Sequence, residues 1–268
     1  VSSTQSVTVF PLEDASFTAT PTCDGATVMV TGDAGGVFAF NPDPMDGSVI
    51  DPVTGTVTGG PPSATYTIEY TTTGPCPVQN TENVTVFAEE TSAFTVTATC
   101  DGGTATVTGD AGGSFAFNPV PTDGAVIDVA TGTVTMGTPG AVYTIEYTTG
   151  GPCPDVSTVN LAVLNQDNSS FTLSPTCDGA TATITGQAGG TFAFNPVPTD
   201  GAMINTTTGT ITNAPFDATY TVEYTTNGPC PTTTTQSVTV FSQPTIVPPT
   251  PLEVCDDNVP DGFTAIDL

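Results

Sequence analysis

One block of text recurs three times in this chain at a constant offset of 77 residues, and no other feature of the sequence restricts its fold so strongly. CDGATVMVTGDAGGVFAFNPDPMDGSVIDPVTGTVT from Cys23 aligns without a gap to CDGGTATVTGDAGGSFAFNPVPTDGAVIDVATGTVT from Cys100 and to CDGATATITGQAGGTFAFNPVPTDGAMINTTTGTIT from Cys177. A second block keeps the same spacing: YTIEYTTTGPCP at Tyr66, YTIEYTTGGPCP at Tyr143 and YTVEYTTNGPCP at Tyr220. A fixed period marks an array whose unit is one supersecondary or domain-sized module. This period is long enough for a small domain with its own core. The repeats divide the chain into 1–14, the end of a preceding repeat; 15–91, 92–168 and 169–245, three full repeats; and 246–268, the start of a different module.

Composition narrows what such modules can do. The chain has 27 acidic residues and no Lys, Arg or His, a formal charge of -27. That balance excludes nucleic-acid binding through phosphate contacts and argues against docking on, or inserting into, an anionic membrane. No Ser/His or Ser/Lys pair is available to activate a nucleophile, no imidazole to ligate zinc, and no arginine to clamp phosphate. The Asp residues sit beside Gly in turn signatures and recur in every copy, so the sequence predicts no enzyme.

Within the middle repeat the period is two. Phe94, Val96 and Ala98 alternate with threonines, then Cys100 to Gly103 reads as a turn. Ala105 and Val107 lie on a second strand closed by the GDAGG turn at 109–113. Phe115 and Phe117 share a face of a third, and short strands follow around Val126 to Asp128 and Thr133 to Thr135. Tyr143, Ile145 and Tyr147 share one face of the longest strand, and Val159, Leu161 and Val163 supply the last. Seven short antiparallel strands with no helical period predict an all-β chain, a head-to-tail rod of immunoglobulin-like seven-stranded β-sandwiches. FDATY at Phe216 to Tyr220 resembles a tyrosine corner, in which a Tyr at the start of the sixth strand bonds back across the preceding turn. The usual inter-sheet cystine positions carry Val107 and Ile145 and there is no Trp, so Phe115 and Phe117 are expected to fill that volume.

The ends read differently. VSSTQSVTVF at 1–10 nearly copies the close of the third repeat, QSVTVF at Gln236 to Phe241, and reads as the last strand of an earlier module. After Phe241 a Pro-punctuated connector leads to CDDNVPDGFTAIDL. There Asp256, Asn258, Asp261 and Asp267 resemble a loose calcium loop, although Val259 and Pro260 break the D-x-N-x-D-G spacing; the alternative is an Asp/Asn/Gly turn.

The CDGATATITG, FAFNP, DGAVID, ATGTVT, YTIEYTT and GPCP blocks, followed by a CDDN…DGF…DL module, resemble the long repetitive surface adhesins of gliding Bacteroidota, of the SprB type. The run from FAFNP through TGTVT to YTIEY is also similar to cadherin-like and Ig-like modules of other bacterial surface proteins. The resemblance implies export by the type IX system, an outer-membrane-associated place on the bacterial cell surface, and work in attachment or gliding motility. Three functions follow as alternatives: a structural stalk or filament segment, repeats that themselves bind glycans or surfaces, and a stalk joined to a secreted enzyme outside this sequence. The partners expected are neighbouring repeats of the same chain, other surface filaments and extracellular glycans. Cadherin-like chains stiffen through calcium at their junctions, which suggests Asp24 and Asp46 facing Asp110; at the next junction Asp101 and Asp123 would face Gln187.

The cysteines form two constant series, Cys23, Cys100 and Cys177, then Cys76, Cys153 and Cys230, with Cys255 opening the next module. Two per repeat in an exported chain poor in metal ligands suggests disulfides. Pairing within a repeat would join Cys23 to Cys76, Cys100 to Cys153 and Cys177 to Cys230. Strand counting favours the alternative: the first series lies in the turn after strand one and the second in the turn before strand seven, at opposite ends of a sandwich, whereas a cystine needs Cα atoms within about 7 Å. Staples between consecutive repeats, Cys23 to Cys153 and Cys100 to Cys230, are therefore expected, leaving Cys76, Cys177 and Cys255 to other partners.

Overall fold

A computed structural model of the chain describes residues 2–249. The described residues are all-β, and the chain divides into two compact units, Val1–Gln166 and Asp167–Leu268.

The first unit contains two sandwiches in tandem. In the first, β1 (Phe17–Pro21), β2 (Ala26–Val30), β5 (Val57–Thr58) and β4 (Val49–Ile50) form one antiparallel sheet in that order, and β3 (Val37–Phe40), β6 (Thr65–Thr71) and β7 (Gln79–Thr85) form the other. The second repeats the arrangement with β8 (Phe94–Ala98), β9 (Gly103–Val107), β12 (Val134–Thr135) and β11 (Val126–Ile127) against β10 (Ser114–Phe117), β13 (Val142–Thr148) and β14 (Val156–Ala162). The second unit contains one sandwich, β15 (Phe171–Pro175), β16 (Ala180–Ile184), β19 (Ile211–Thr212) and β18 (Met203–Ile204) facing β17 (Thr191–Phe194), β20 (Thr219–Thr225) and β21 (Thr233–Thr239). Strand orders 1-2-5-4 and 3-6-7 within each repeat are the four-plus-three topology of an immunoglobulin constant-type domain.

The alternation that predicts the strands also fills the cores. On β13, Tyr143, Ile145 and Tyr147 are buried while Thr144, Glu146 and Thr148 face outward and sideways. Thr cross-strand pairs decorate the outer face, with the hydroxyls of Thr65 and Thr85 2.9 Å apart and those of Thr219 and Thr239 2.8 Å apart. Where a cystine and a Trp are missing, three rings pack instead. Phe94 meets Phe115 edge-on at 5.5 Å, and Phe115 lies tilted on Tyr147 at 4.5 Å. The other two repeats reproduce this as Phe17, Phe38 and Tyr70, and as Phe171, Phe192 and Tyr224. Phe117 packs on Tyr143 rather than in this trio.

The two tyrosines of each long strand secure opposite loops. Tyr147 donates its hydroxyl to the carbonyl of Asp110 at 2.8 Å and accepts the N–H of Gly113 at 3.0 Å, so one phenol closes the GDAGG turn. Tyr220 corrects the tyrosine-corner expectation: its hydroxyl donates to the carboxylate of Asp200, 20 residues upstream, at 2.6 Å. Tyr66 does the same to Asp46, at 2.7 Å. Tyr143 donates to Asp123 and also accepts the N–H of Thr138 across the preceding turn at 2.8 Å. The carboxylate wins because an ionised acceptor makes the stronger bond and the DG turn delivers it to the phenol.

Residues 2–16 form no strand within this chain. Val7 and Val9 are each 86% exposed, whereas their counterparts in the same hexapeptide of β21 and its end, Val238 and Val240, are 6% and 2% exposed. An identical sequence is strand in one place and unpaired in the other because a strand needs a neighbouring ladder and a sheet face to cover.

Candidate functional site: the repeat junction

The chemistry of this chain concentrates where one repeat hands over to the next. Each first-series cysteine sits in the turn between the first two strands of its repeat. In repeat 1 that turn is closed by Thr22 N–H donating to the Gly25 carbonyl at 3.0 Å, and in repeat 2 by Thr99 N–H to Gly102 at 2.9 Å. The turn needs glycine at its last position, because a Cβ on Gly102 would stand 2.1 Å from the carbonyl oxygen of Val134. Asp101 anchors it from below, its backbone carbonyl accepting the N–H of Gly137 at 2.8 Å and its carboxylate that of Met136 at 3.2 Å.

Each second-series cysteine sits in the loop between the last two strands. A buried threonine closes that loop: Thr149 donates its N–H to the Asp155 carbonyl at 3.0 Å and accepts the Asp155 N–H on its hydroxyl at 2.8 Å. Thr72 and Thr226 repeat the contact with Val78 and Thr232.

The linker between repeats 1 and 2 grips both turns. Phe87 N–H donates to the Thr22 carbonyl at 3.1 Å, beside Cys23. Three residues later the Glu90 carboxylate accepts the N–H groups of Gly151 and Cys153, both at 3.0 Å. Bonding to the Thr149 hydroxyl and to those two amides holds the Glu90 carboxyl below its ordinary value. One short segment thus places Cys23 and Cys153 side by side, and they are joined as a disulfide with Cα atoms 5.5 Å apart. The bond links repeat 1 to repeat 2 across a separation of 130 residues.

The same contacts recur elsewhere. Glu13 accepts the N–H groups of Gly74 and Cys76, both at 3.1 Å, and its carboxyl is likewise held low, first by the Thr72 hydroxyl. Leu164 N–H donates to the Thr99 carbonyl, beside Cys100, at 3.0 Å. In the second unit Asp167 takes the glutamate's role: its carboxylate accepts the Gly228 N–H at 2.8 Å and its N–H donates to the Cys230 carbonyl at 2.9 Å. Cys100 and Cys230 are both disulfide-bonded, while Cys76 and Cys177 are free thiols. Cys255 lies outside the described residues. Sequence reasoning missed the linker carboxylates; their one visible signal was the recurrence of Glu13, Glu90 and Asp167 at the repeat spacing.

The junction carboxylates do not fit a calcium site. Asp24 accepts the Gly59 N–H at 3.1 Å and Asp46 the Tyr66 hydroxyl at 2.7 Å, both inside repeat 1, and Asp110 accepts the N–H of Thr91, the last residue before repeat 2, at 2.7 Å, so each carboxylate already holds a hydrogen-bond donor. Among the described residues no three acidic or cysteine side chains are grouped to hold a metal. Asp101 and Asp123 likewise accept hydrogen bonds inside repeat 2. The suggested loop of Asp256, Asn258, Asp261 and Asp267 lies outside the described residues. Nor is a buried polar group left waiting for a ligand, since every buried side-chain nitrogen or oxygen among the described residues has a partner. Among the described residues no helix is long and apolar enough to cross a membrane.

No family model and no curated protein matches this chain. Solved structures similar to it include protocadherin gamma B2 extracellular cadherin domains 3–6, at 14% identity over 83% of this chain and 70% of that one, with a TM-score of 0.27. Mouse cadherin-23 EC22–24 matches at 14% identity over 87% of this chain and 94% of that one, with a TM-score of 0.26. Human CDH23 EC21–23 matches at 14% identity over 82% and 94%, with a TM-score of 0.28.

Proposed function

We propose that the chain is a structural segment of a large bacterial cell-surface adhesin: a non-enzymatic stalk of small sandwiches, divided at 15–91, 92–168 and 169–245, that serves attachment or gliding motility from outside the outer membrane. The observation that carries this reading is the disulfide between Cys23 and Cys153, which joins successive repeats where a domain's own cystine would join its two sheets. A bond so placed adds little to the core of either repeat and resists hinging between them, which is a property of use to a load-bearing array. Oxidised cysteines also suit an extracellular compartment. By repeat equivalence Cys100 and Cys230 form the next staple, since the same linker contacts surround each and both are oxidised.

Glycan binding by the repeats is the weaker reading, because all six tyrosines are buried and, among the described residues, only Phe10, Phe216 and Phe241 of the large aromatic side chains are exposed. Sugar platforms need exposed planar rings. Antibodies raised against one repeat test the surface assignment: labelling of intact cells is expected, and labelling only after permeabilisation overturns it. A glycan array probed with the chain is expected to stay blank, and a saturable hit would favour the alternative.

A further inference from the structure

We infer that Cys76 is a docking point for another repeat of this same type, and that it forms a disulfide with the Cys177 position of that repeat, so that staples run on from copy to copy. The inference rests on the stapled-repeat reading above. Cys76 and Cys177 are the two free cysteines among the described residues, and they are the counterparts, at the repeat spacing, of the bonded Cys153 and Cys23. Each is held as its bonded counterpart is held. Glu13 accepts the Gly74 and Cys76 N–H groups as Glu90 accepts those of Gly151 and Cys153. Thr176 N–H closes the Cys177 turn on Gly179 at 2.9 Å, matching the 3.0 Å closure beside Cys23. Cys177 is exposed and Cys76 partly so.

A separate observation identifies the occupant. The segment QSVTVF at residues 5–10 arrives at Cys76, with the Phe10 carbonyl 4.0 Å from its sulfur, and carries an apolar face, Val7 and Val9, that covers nothing. The same six residues at 236–241 complete the sandwich whose free cysteine is Cys177, and there Val238 and Val240 are buried. The strand that belongs beside Cys76 is therefore the closing strand of a repeat of the third kind, and such a repeat brings the Cys177 turn with it.

The chemistry is thiol–disulfide exchange. The Cys76 thiolate attacks a small disulfide such as oxidised glutathione, forming a mixed disulfide and releasing one small thiolate. The thiolate of the partner's Cys177 then attacks the mixed bond and releases the second. Two electrons pass to the small disulfide, and the two protein thiols lose their protons to solvent.

The test uses the full chain carrying Cys255→Ser, oxidised in a glutathione buffer and separated without reductant. A ladder of covalent multimers is expected, lost on reduction and lost in the Cys76→Ser, Cys177→Ser double variant. Mixing the Cys76→Ser and Cys177→Ser single variants is expected to give one heterodimer containing a Cys76–Cys177 peptide, while each alone stays monomeric. Absence of that heterodimer, or homodimers of either variant alone in equal yield, overturns the inference. Both positions are solvent-facing, so neither serine disturbs a core. Mapping the Cys23–Cys153 peptide in the same samples separates the two readings: its presence without heterodimer sinks only this inference, and its absence sinks the staple itself.

Discussion

A phenol buried against a carboxylate changes the acid–base behaviour of both groups, as it does for Tyr220 with Asp200 and for Tyr66 with Asp46. Burial, then the hydrogen bond and charge of Asp200, push Tyr220 up to about 12, while the same bond holds the Asp200 carboxyl below its ordinary range. Tyr66 is raised in the same direction, chiefly by burial. A tyrosine whose folded pKa lies above its unfolded value contributes stability that is complete below about 10 and is lost as pH rises toward about 12. Tyrosine NMR on isotope-labelled protein should find Tyr220 still protonated after ordinary phenols have ionised. Asp200→Asn should lower its midpoint while leaving it above about 10, because the charge goes and the burial stays. A Tyr220 midpoint unchanged by that substitution would break the assignment. The sequence showed the tyrosine and its corner, but not its partner. Asp200 lies in a DG turn that already has a full local explanation, and a contact across 20 residues leaves no periodic trace.

At the scale of strands the two-residue period, carried by Thr alternating with apolar residues in the first, second and sixth strands and by paired apolar residues elsewhere, placed the strands of a repeat, because a sheet buried on one face writes its period into the chain. Ile145 is fully buried at the centre of β13, and its counterparts are Ile68 and Val222. Ile145→Ala should therefore cost about 2–5 kcal/mol and Ile145→Val about 0.5–1.5 kcal/mol in repeat 2, read as a fall in the denaturant midpoint of that repeat's transition. Gly102→Ala should be as damaging for a different reason, since its Cβ would meet backbone that cannot move aside. The linker, by contrast, was illegible as structure: Glu90 belongs to no strand and lies in no two-residue alternation, its recurrence at the repeat spacing says nothing of its partners, and its function depends on two amides 61 and 63 residues away. Its depressed pKa makes a signed prediction. The unfolded carboxyl titrates near 4.5, so the stability supplied by the Glu90 clip is present above that pH and disappears as pH falls below it. Glu90→Gln should flatten the acid limb of the repeat 1–repeat 2 melting profile, and slow the return of the Cys23–Cys153 bond after reduction. An acid limb identical to wild type would mean that the carboxylate does not hold the junction.

For the whole molecule the question is which connections survive when the backbone between repeats is cut. Net charge sets the background: with -27 and no cation, separate chains repel, so association should be weak at low salt and rise as salt screens the carboxylates. The staple acts against a different force, separation of neighbours along one chain. In the chain-entropy picture a loop of 130 residues removes about 4–5 kcal/mol of disorder from the unfolded state. Because the loop spans two cores, that contribution should couple two unfolding transitions and should not raise one alone. Glu89 is exposed in the linker, whereas Glu69 and Glu82 sit in strands, so a Glu-specific protease used briefly on the native chain should cut first after Glu89. Cys23 then lies on the N-terminal fragment and Cys153 on the C-terminal one. The cut chain should migrate as one species without reductant and as two with it. Pairing inside repeats, Cys23 to Cys76 and Cys100 to Cys153, predicts two fragments under both conditions. A single band that needs reductant to divide leaves the junction staple as the bond that carries tension after the peptide link is gone.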